Sequence, residues 1–137
     1  MFLISIMASK SKRDERVPIK NISKAKKIEK PWGYELIFAH TEHYAGKILF
    51  INEGHRFSLQ FHQFKDETIY IYKGKIRLHF GDPGNELVEQ VLEPGDSVRI
   101  KPLTRHRMEA LEDSTLLEVS TSELDDVQRL QDDYGRA

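Results

Sequence analysis

Four side chains stand out for their chemistry: Gln60, His62, Glu67 and His106. The sequence contains no cysteine, so disulfides, thiolate metal sites and a cysteine nucleophile are excluded. Any metal centre must then be built from nitrogen and oxygen donors, with histidine and carboxylate as the strong ligands. In the segment from Gly54 to Gly74, residues two apart share a face of a strand. Ser58, Gln60 and His62 therefore lie on one face, and Phe57, Leu59 and Phe61 on the other. On a free-standing sheet the polar face would meet solvent. In a barrel with a ligand-holding interior it turns inward, where Gln60 and His62, one pleat apart, can converge on one ion. Glu67 opens the next strand with Ile69 and Ile71 continuing its inward parity. His106 follows the turn-and-strand unit that starts at Pro94-Gly95-Asp96, and is the candidate fourth donor from a distant strand.

These residues need a scaffold of short strands, and the chain supplies one. From Trp32 onward, short apolar or alternating runs predict strands over 34–39, 47–52, 57–62, 67–72, 76–80, 86–92, 97–100, 105–111 and 115–121. Breaks fall at Asn52-Glu53-Gly54, Lys73-Gly74-Lys75, Gly81-Asp82-Pro83-Gly84 and Glu93-Pro94-Gly95-Asp96. This rhythm predicts an all-β sandwich or barrel. The acidic run 122–134, with Leu124, Val127 and Leu130 as a narrow apolar stripe, predicts a short helical segment on the barrel's outside.

A length of 137 residues, 39% apolar and 31% charged with a formal net charge of -1, fits one soluble domain and gives no reason to expect a nucleic-acid partner. The charge is unevenly spread. Between Lys10 and Lys30 nine lysines and arginines face three acids, so a basic arm over residues 1–29, partly mobile or packed on a partner subunit, precedes an acidic body. The opening MFLISIM is too short to span a bilayer and lacks the flanks of a secretory signal. An over-extended start before Met7, no membrane association and a cytoplasmic address are the resulting expectations.

The two segments around His62 and His106 resemble the paired motifs of the cupin superfamily. Gly54, His62, Glu67 and Gly74 stand at the spacings of the first motif, with Gln60 replacing the first histidine of its His-x-His pair. The chain further resembles the type II phosphomannose isomerase branch. The matching residues are Lys30-Pro31-Trp32-Gly33, Ser58-Leu59-Gln60-Phe61-His62 with Glu67, Pro102-Leu103 with His106-Arg107 and Glu109, and Asp132-Asp133-Tyr134-Gly135-Arg136. Lys65 stands where that branch carries an arginine, and the two are not interchangeable.

The resemblance implies a single cupin β-barrel, a jelly roll of double-stranded β-helix type, over residues 30–137. It implies one divalent metal on Gln60, His62, Glu67 and His106, zinc first, with manganese, nickel or iron also compatible. The implied reaction is aldose–ketose isomerisation of a sugar phosphate, mannose 6-phosphate to fructose 6-phosphate, through an enediolate. Glu67, or Lys65 with a pKa lowered by burial, would be the base, and Lys47, Ser58 and Arg107 would hold substrate. Arg99 is weighed equally between an anion contact and a solvated surface. A metal-holding cupin that binds a sugar or sugar nucleotide without turnover is the alternative. A homodimer is expected, with Trp32 closing the barrel or meeting the partner.

Overall fold

The computed structural model describes Lys20 and residues 22–136, so the expectations for MFLISIM and most of the basic arm lie outside the described residues. Eleven strands follow one another in the described chain: β1 Lys26–Lys30, β2 Gly33–His40, β3 Ala45–Ile51, β4 Leu59–Phe61, β5 Glu67–Lys73, β6 Ile76–Gly81, β7 Val88–Leu92, β8 Ser97–Ile100, β9 Arg105–Ala110, β10 Ser114–Ser120 and β11 Gln128–Gln131. They form two antiparallel sheets, one ordered β1-β2-β3-β10-β5-β8 and the other β11-β4-β9-β6-β7. This is a small jelly-roll barrel, the all-β architecture expected from the strand rhythm.

Near both ends of the described chain the structure differs from expectation. Lys26–Lys30, at the end of the predicted arm, forms β1 and pairs with β2 across a two-residue turn at Pro31-Trp32. That turn depends on Gly33: its φ is +150°, and a Cβ there would meet the Phe50 carbonyl oxygen at 1.9 Å. The predicted C-terminal helix is absent, and no described residue is helical. Gln128–Gln131 instead adds β11 to the edge of β4. The i, i+3, i+6 stripe misled because Leu130 is 51% exposed while Leu124 and Val127 line the interior cavity. The segment therefore packs over the barrel mouth rather than outside it.

The interior is layered. Strand parity sends one polar residue inward at one level and apolar residues at the next: Lys47 then Leu49 and Ile51 on β3, Glu67 then Ile69 and Ile71 on β5, His106 then Met108 and Ala110 on β9. Strand β10 runs antiparallel to β3 and β5, and its Leu116 and Glu118 fall at the matching levels, Leu116 opposite Leu49 and Ile71, Glu118 opposite Lys47 and Ile69. Leu49, Ile69, Ile71, Ile76, Leu78, Ile100, Met108 and Leu116 are each at most 2% exposed and form the apolar core. Burying these side chains stabilises the barrel by roughly 1.5–3 kcal/mol each. The polar layer above them is the floor of the cavity.

Candidate metal centre and cavity

His62, Glu67 and His106 come together as the sequence predicted, each at most 4% exposed, with one ligand atom from each lying within 4.8 Å of the others. His106 Nδ1 donates to the Thr104 carbonyl at 2.9 Å, and His62 Nδ1 donates to the Asp126 carbonyl at 2.5 Å. With Nδ1 tied to a carbonyl, the proton of a neutral imidazole stays on that nitrogen and Nε2 presents a lone pair. His62 Nε2 lies 3.3 Å from Glu67 Oε2, and His106 Nε2 lies 3.8 Å from Glu67 Oε1. Neither Nε2 has a well-directed hydrogen bond, although both are buried. Two lone pairs and a carboxylate converging on one point, with no proton between them, form an electron-rich pocket that a cation would satisfy.

The protonation directions agree with that reading. Burial pushes the His106 pKa below the ordinary imidazole value, against the pull of Glu67, so the ring stays neutral and able to ligate. Burial would raise the pKa of Glu67, but the neighbouring side chains, with the Lys65 ammonium 2.9 Å from its Oε2, outweigh it and keep the side chain a carboxylate. Since neutral imidazole and ionised carboxylate are the metal-binding forms, metal affinity is expected to fall as pH drops through the imidazole range. Titration calorimetry at pH 7.5 and pH 5.5 checks this.

Gln60 lies opposite His106 in the β4–β9 pairing and lines the same cavity. Its Oε1 accepts a hydrogen bond from Ser58 Oγ at 2.7 Å, which aims the amide and leaves a second lone pair on that oxygen. Lys47 is buried and lines the cavity, held by both carboxylate oxygens of Glu35 at 3.4 Å. Lys65 reaches Glu67 Oε2 at 2.9 Å and Glu118 Oε2 at 3.0 Å. Burial penalises its ammonium, yet Glu118 and Glu67 more than offset this and raise its pKa above the ordinary lysine value. The idea of Lys65 as a base with a lowered pKa is therefore corrected: flanked by two carboxylates, it holds its proton.

Arg107 is placed elsewhere. On β9 it alternates with His106, so it points away from the cavity, donating to the Phe57 carbonyl at 2.8 Å and to the Gln131 carbonyl at 3.2 Å. It fastens β11 to the barrel. Arg99 makes a two-pronged pair with Asp66 on the exposed face. Trp32 closes the barrel, 5% exposed with its ring 4.5 Å from that of Phe57, and both rings line the cavity.

Two residues escaped the sequence reading. Glu118 is buried on the inward parity of β10, between Leu116 and Ser120. Burial, then the like charge of Glu67, raises its pKa. An acid at an apolar-parity position of the strand TLLEVS is the signal that would have found it. Asp126 organises the loop that carries His62 and Lys65: its carboxylate accepts from the N–H groups of Gln63 (3.0 Å), Phe64 (2.7 Å) and Lys65 (2.9 Å), while its carbonyl takes the His62 proton. The helical expectation for this stretch hid it. Leu103 adds a further tie, holding a left-handed φ of 72° while its N–H donates to the His62 carbonyl at 2.7 Å. Asp126→Ala is expected to weaken metal binding by about 10–100-fold, the usual cost of losing an outer partner of a ligand, and metal titration of the refolded variant checks it.

A jelly-roll barrel whose interior brings a His–Glu–His group together, one that could hold a metal ion, defines the class of small β-barrel seen here. Residues 47–120 match the Cupin domain family, and the chain belongs to it. No curated protein sequence matches the chain. Among solved structures it is similar to KdgF from Halomonas sp., at 23% identity over 78% of this chain and 94% of that one, with a TM-score of 0.63. It is also similar to the capsular polysaccharide assembling protein CapF from Staphylococcus aureus, at 18% identity over 79% of this chain and 34% of that one, TM-score 0.66. A third is oxalate decarboxylase from Bacillus subtilis, at 18% identity over 77% of this chain and 30% of that one, TM-score 0.66. The chain spans about a third of the length of the last two. At these identities the likeness establishes the fold. Among the described residues, no helix is long and apolar enough to cross a membrane.

Proposed function

We propose that the cavity holds one divalent metal ion through His62, Glu67 and His106, with the Gln60 amide oxygen as a further donor, and that the protein isomerises a sugar phosphate. Zinc is the first candidate for an N/O set of this kind, and mannose 6-phosphate the first substrate to test, following the motif resemblance. The observation that carries the reading is the pair of buried Nε2 lone pairs, each fixed by an Nδ1 bond to a backbone carbonyl and both facing Glu67. When bound, such an ion supplies Lewis acidity that stabilises negative charge developing on neighbouring substrate oxygens.

The chain's own residues divide the remaining work. Glu67 is held as a carboxylate by the histidines and Lys65, which makes it a ligand and a weak base. Lys65 stays protonated between two acids. Glu118 is the proton carrier we assign: it lines the cavity with its Oε2 buried, and burial, then the like charge of Glu67, raises its pKa above the ordinary carboxylate value, which favours taking up a proton. Trp32, Phe57, Leu124 and Val127 supply apolar wall that limits water around the reacting carbons.

The test is nuclear magnetic resonance of metal-loaded protein with mannose 6-phosphate, in which fructose 6-phosphate should appear. Glu118→Gln should retain the metal and lose about 100-fold or more in kcat, the scale of an absent general acid–base. The mutual neutralisation of Lys65 with Glu67 and Glu118 also suits a second reading, a metal-holding module that binds sugar without turning it over. Sugar-dependent rise in melting temperature with no product would favour it.

A further inference from the structure

We propose that the strap 121–127 is a latch coupled to the metal centre: an ion on His62 tightens the strap over the cavity, and the closed strap in turn holds the ion. The inference rests on the reading of His62, Glu67 and His106 as metal ligands and concerns how the chain's own backbone responds to that centre.

Between the end of β10 at Ser120 and the start of β11 at Gln128, seven residues belong to no strand. They run over the cavity, where Leu124 and Val127 are half-buried and form part of the wall. No sheet ladder fastens them. Their own backbone bonds close short turns: the Leu124 N–H donates to the Ser122 carbonyl at 2.8 Å, that of Asp126 to Glu123 at 3.2 Å and that of Val127 to Asp125 at 3.0 Å. A segment without ladder bonds opens locally while the rest of the barrel stays folded. His40 Nε2 donates to the Ser122 carbonyl at 3.0 Å. The main ties run instead to residues 62–66, where the Thr121 N–H donates to the Asp66 carbonyl and the Asp66 N–H to Thr121 Oγ1, both at 3.0 Å.

Asp126 completes that attachment in two ways. Its carboxylate gathers the N–H groups of Gln63, Phe64 and Lys65, and its carbonyl accepts the Nδ1 proton of His62. One residue of the strap thus holds both the ligand and the chain that follows it. When Nε2 of this imidazole shares its lone pair with a cation, the ring loses electron density and its Nδ1–H becomes a stronger donor, so the bond to the Asp126 carbonyl tightens. His106 provides the contrast. Its Nδ1 donates to the Thr104 carbonyl only two residues away, so the same strengthening stays local.

Coupling of this kind runs both ways. Loss of an outer partner of a metal ligand costs about 10–100-fold in metal affinity, and reciprocity requires that bound metal favour the closed strap by the same factor. Because Leu124 and Val127 ride on the strap, its closure also narrows the cavity mouth. Ion retention and access to the cavity are set together.

The experiment is hydrogen–deuterium exchange of the full chain, read amide by amide with and without one equivalent of zinc, with zinc retention through gel filtration measured separately. Zinc should slow exchange at Leu124, Asp126 and Val127 by at least about ten-fold, while the Asn85 amide, in its turn to the Asp82 carbonyl on another loop, exchanges as before. Asp126→Ala, saturated with zinc, should lose most of that slowing at Leu124 and Val127. The wild-type comparison decides the matter even if this variant does not fold. Zinc retained with strap exchange unchanged, slowing of the same size at Asn85, or full slowing in folded Asp126→Ala would overturn the latch and leave the metal centre standing. Zinc not retained at all would overturn the metal centre and the latch with it.

Discussion

His106→Ala is expected to lower metal affinity by more than about 100-fold while leaving the barrel folded. Loss of an outer partner of a metal ligand already costs 10–100-fold, and His106 supplies the ligating nitrogen itself. Its ring is 1% exposed, tilted 52° from that of His62 with centroids 5.0 Å apart, and it shares Glu67 with that ring. The substitution removes one lone pair from the electron-rich pocket and one hydrogen bond to the Thr104 carbonyl, but none of the apolar layer formed by Met108 and its neighbours. Metal titration separates the two effects, because the circular dichroism spectrum of the metal-free variant should match that of the wild type. Undiminished affinity in a folded variant would remove His106 from the site.

Lys65→Met is expected to destabilise the metal-free protein by about 3–5 kcal/mol at pH 7, the range for deleting one partner of a buried ionic group. The side chain of Lys65 is 5% exposed and serves two carboxylates that are equally buried, Glu67 and Glu118. Without the ammonium, both acids face the like charge of the other in a dry wall, and their folded pKa values rise. A carboxyl whose folded pKa lies above its unfolded value of about 4.3 contributes stability below that value and loses it as pH rises through the folded pKa. The wild-type Glu67 has the opposite sign: its folded pKa is depressed, so its contribution is present above the unfolded value and lost in acid. The variant should therefore gain on the wild type as pH falls from 7 toward 4.5. Denaturant melts at the two pH values read this directly, and a constant difference between the two proteins would contradict the charge relay of Glu67, Lys65 and Glu118.

Much of this architecture was legible in the sequence because period-two alternation and turn chemistry act locally. The predicted strand 97–100 coincides with β8, the predicted strand 57–62 shares half of its residues with the shorter β4, and the other predicted strands share most of theirs with the observed ones between β2 and β10. Ser58, Gln60 and His62 line one cavity as period-two alternation placed them, but Phe57, which the same alternation put on the other face, lines it too because residues 57 and 58 precede β4 and are not held to its pleat. The convergence of His62, Glu67 and His106 was legible for a different reason, the motif spacing. Three features were not legible. The segment 122–134 carries weak helical periodicity, and pairing with the open edge of β4 overrides it by satisfying backbone groups there. Arg107 was nominated for its charge, but parity on β9 sends it to the opposite face from His106. Glu118 and Asp126 act through partners 53 to 64 residues away, Glu118 on Lys65 and Asp126 on His62 and Gln63, and no local pattern announces such contacts.

The central claim, an ion held by two imidazoles and a carboxylate inside the barrel, is tested most directly by X-ray absorption at the zinc edge of protein loaded with one equivalent of the metal. The predicted spectrum contains two imidazole nitrogens at about 2.0–2.1 Å with the remaining shell made of oxygen. Failure to retain one equivalent through gel filtration, or a shell with fewer than two imidazoles, would contradict it.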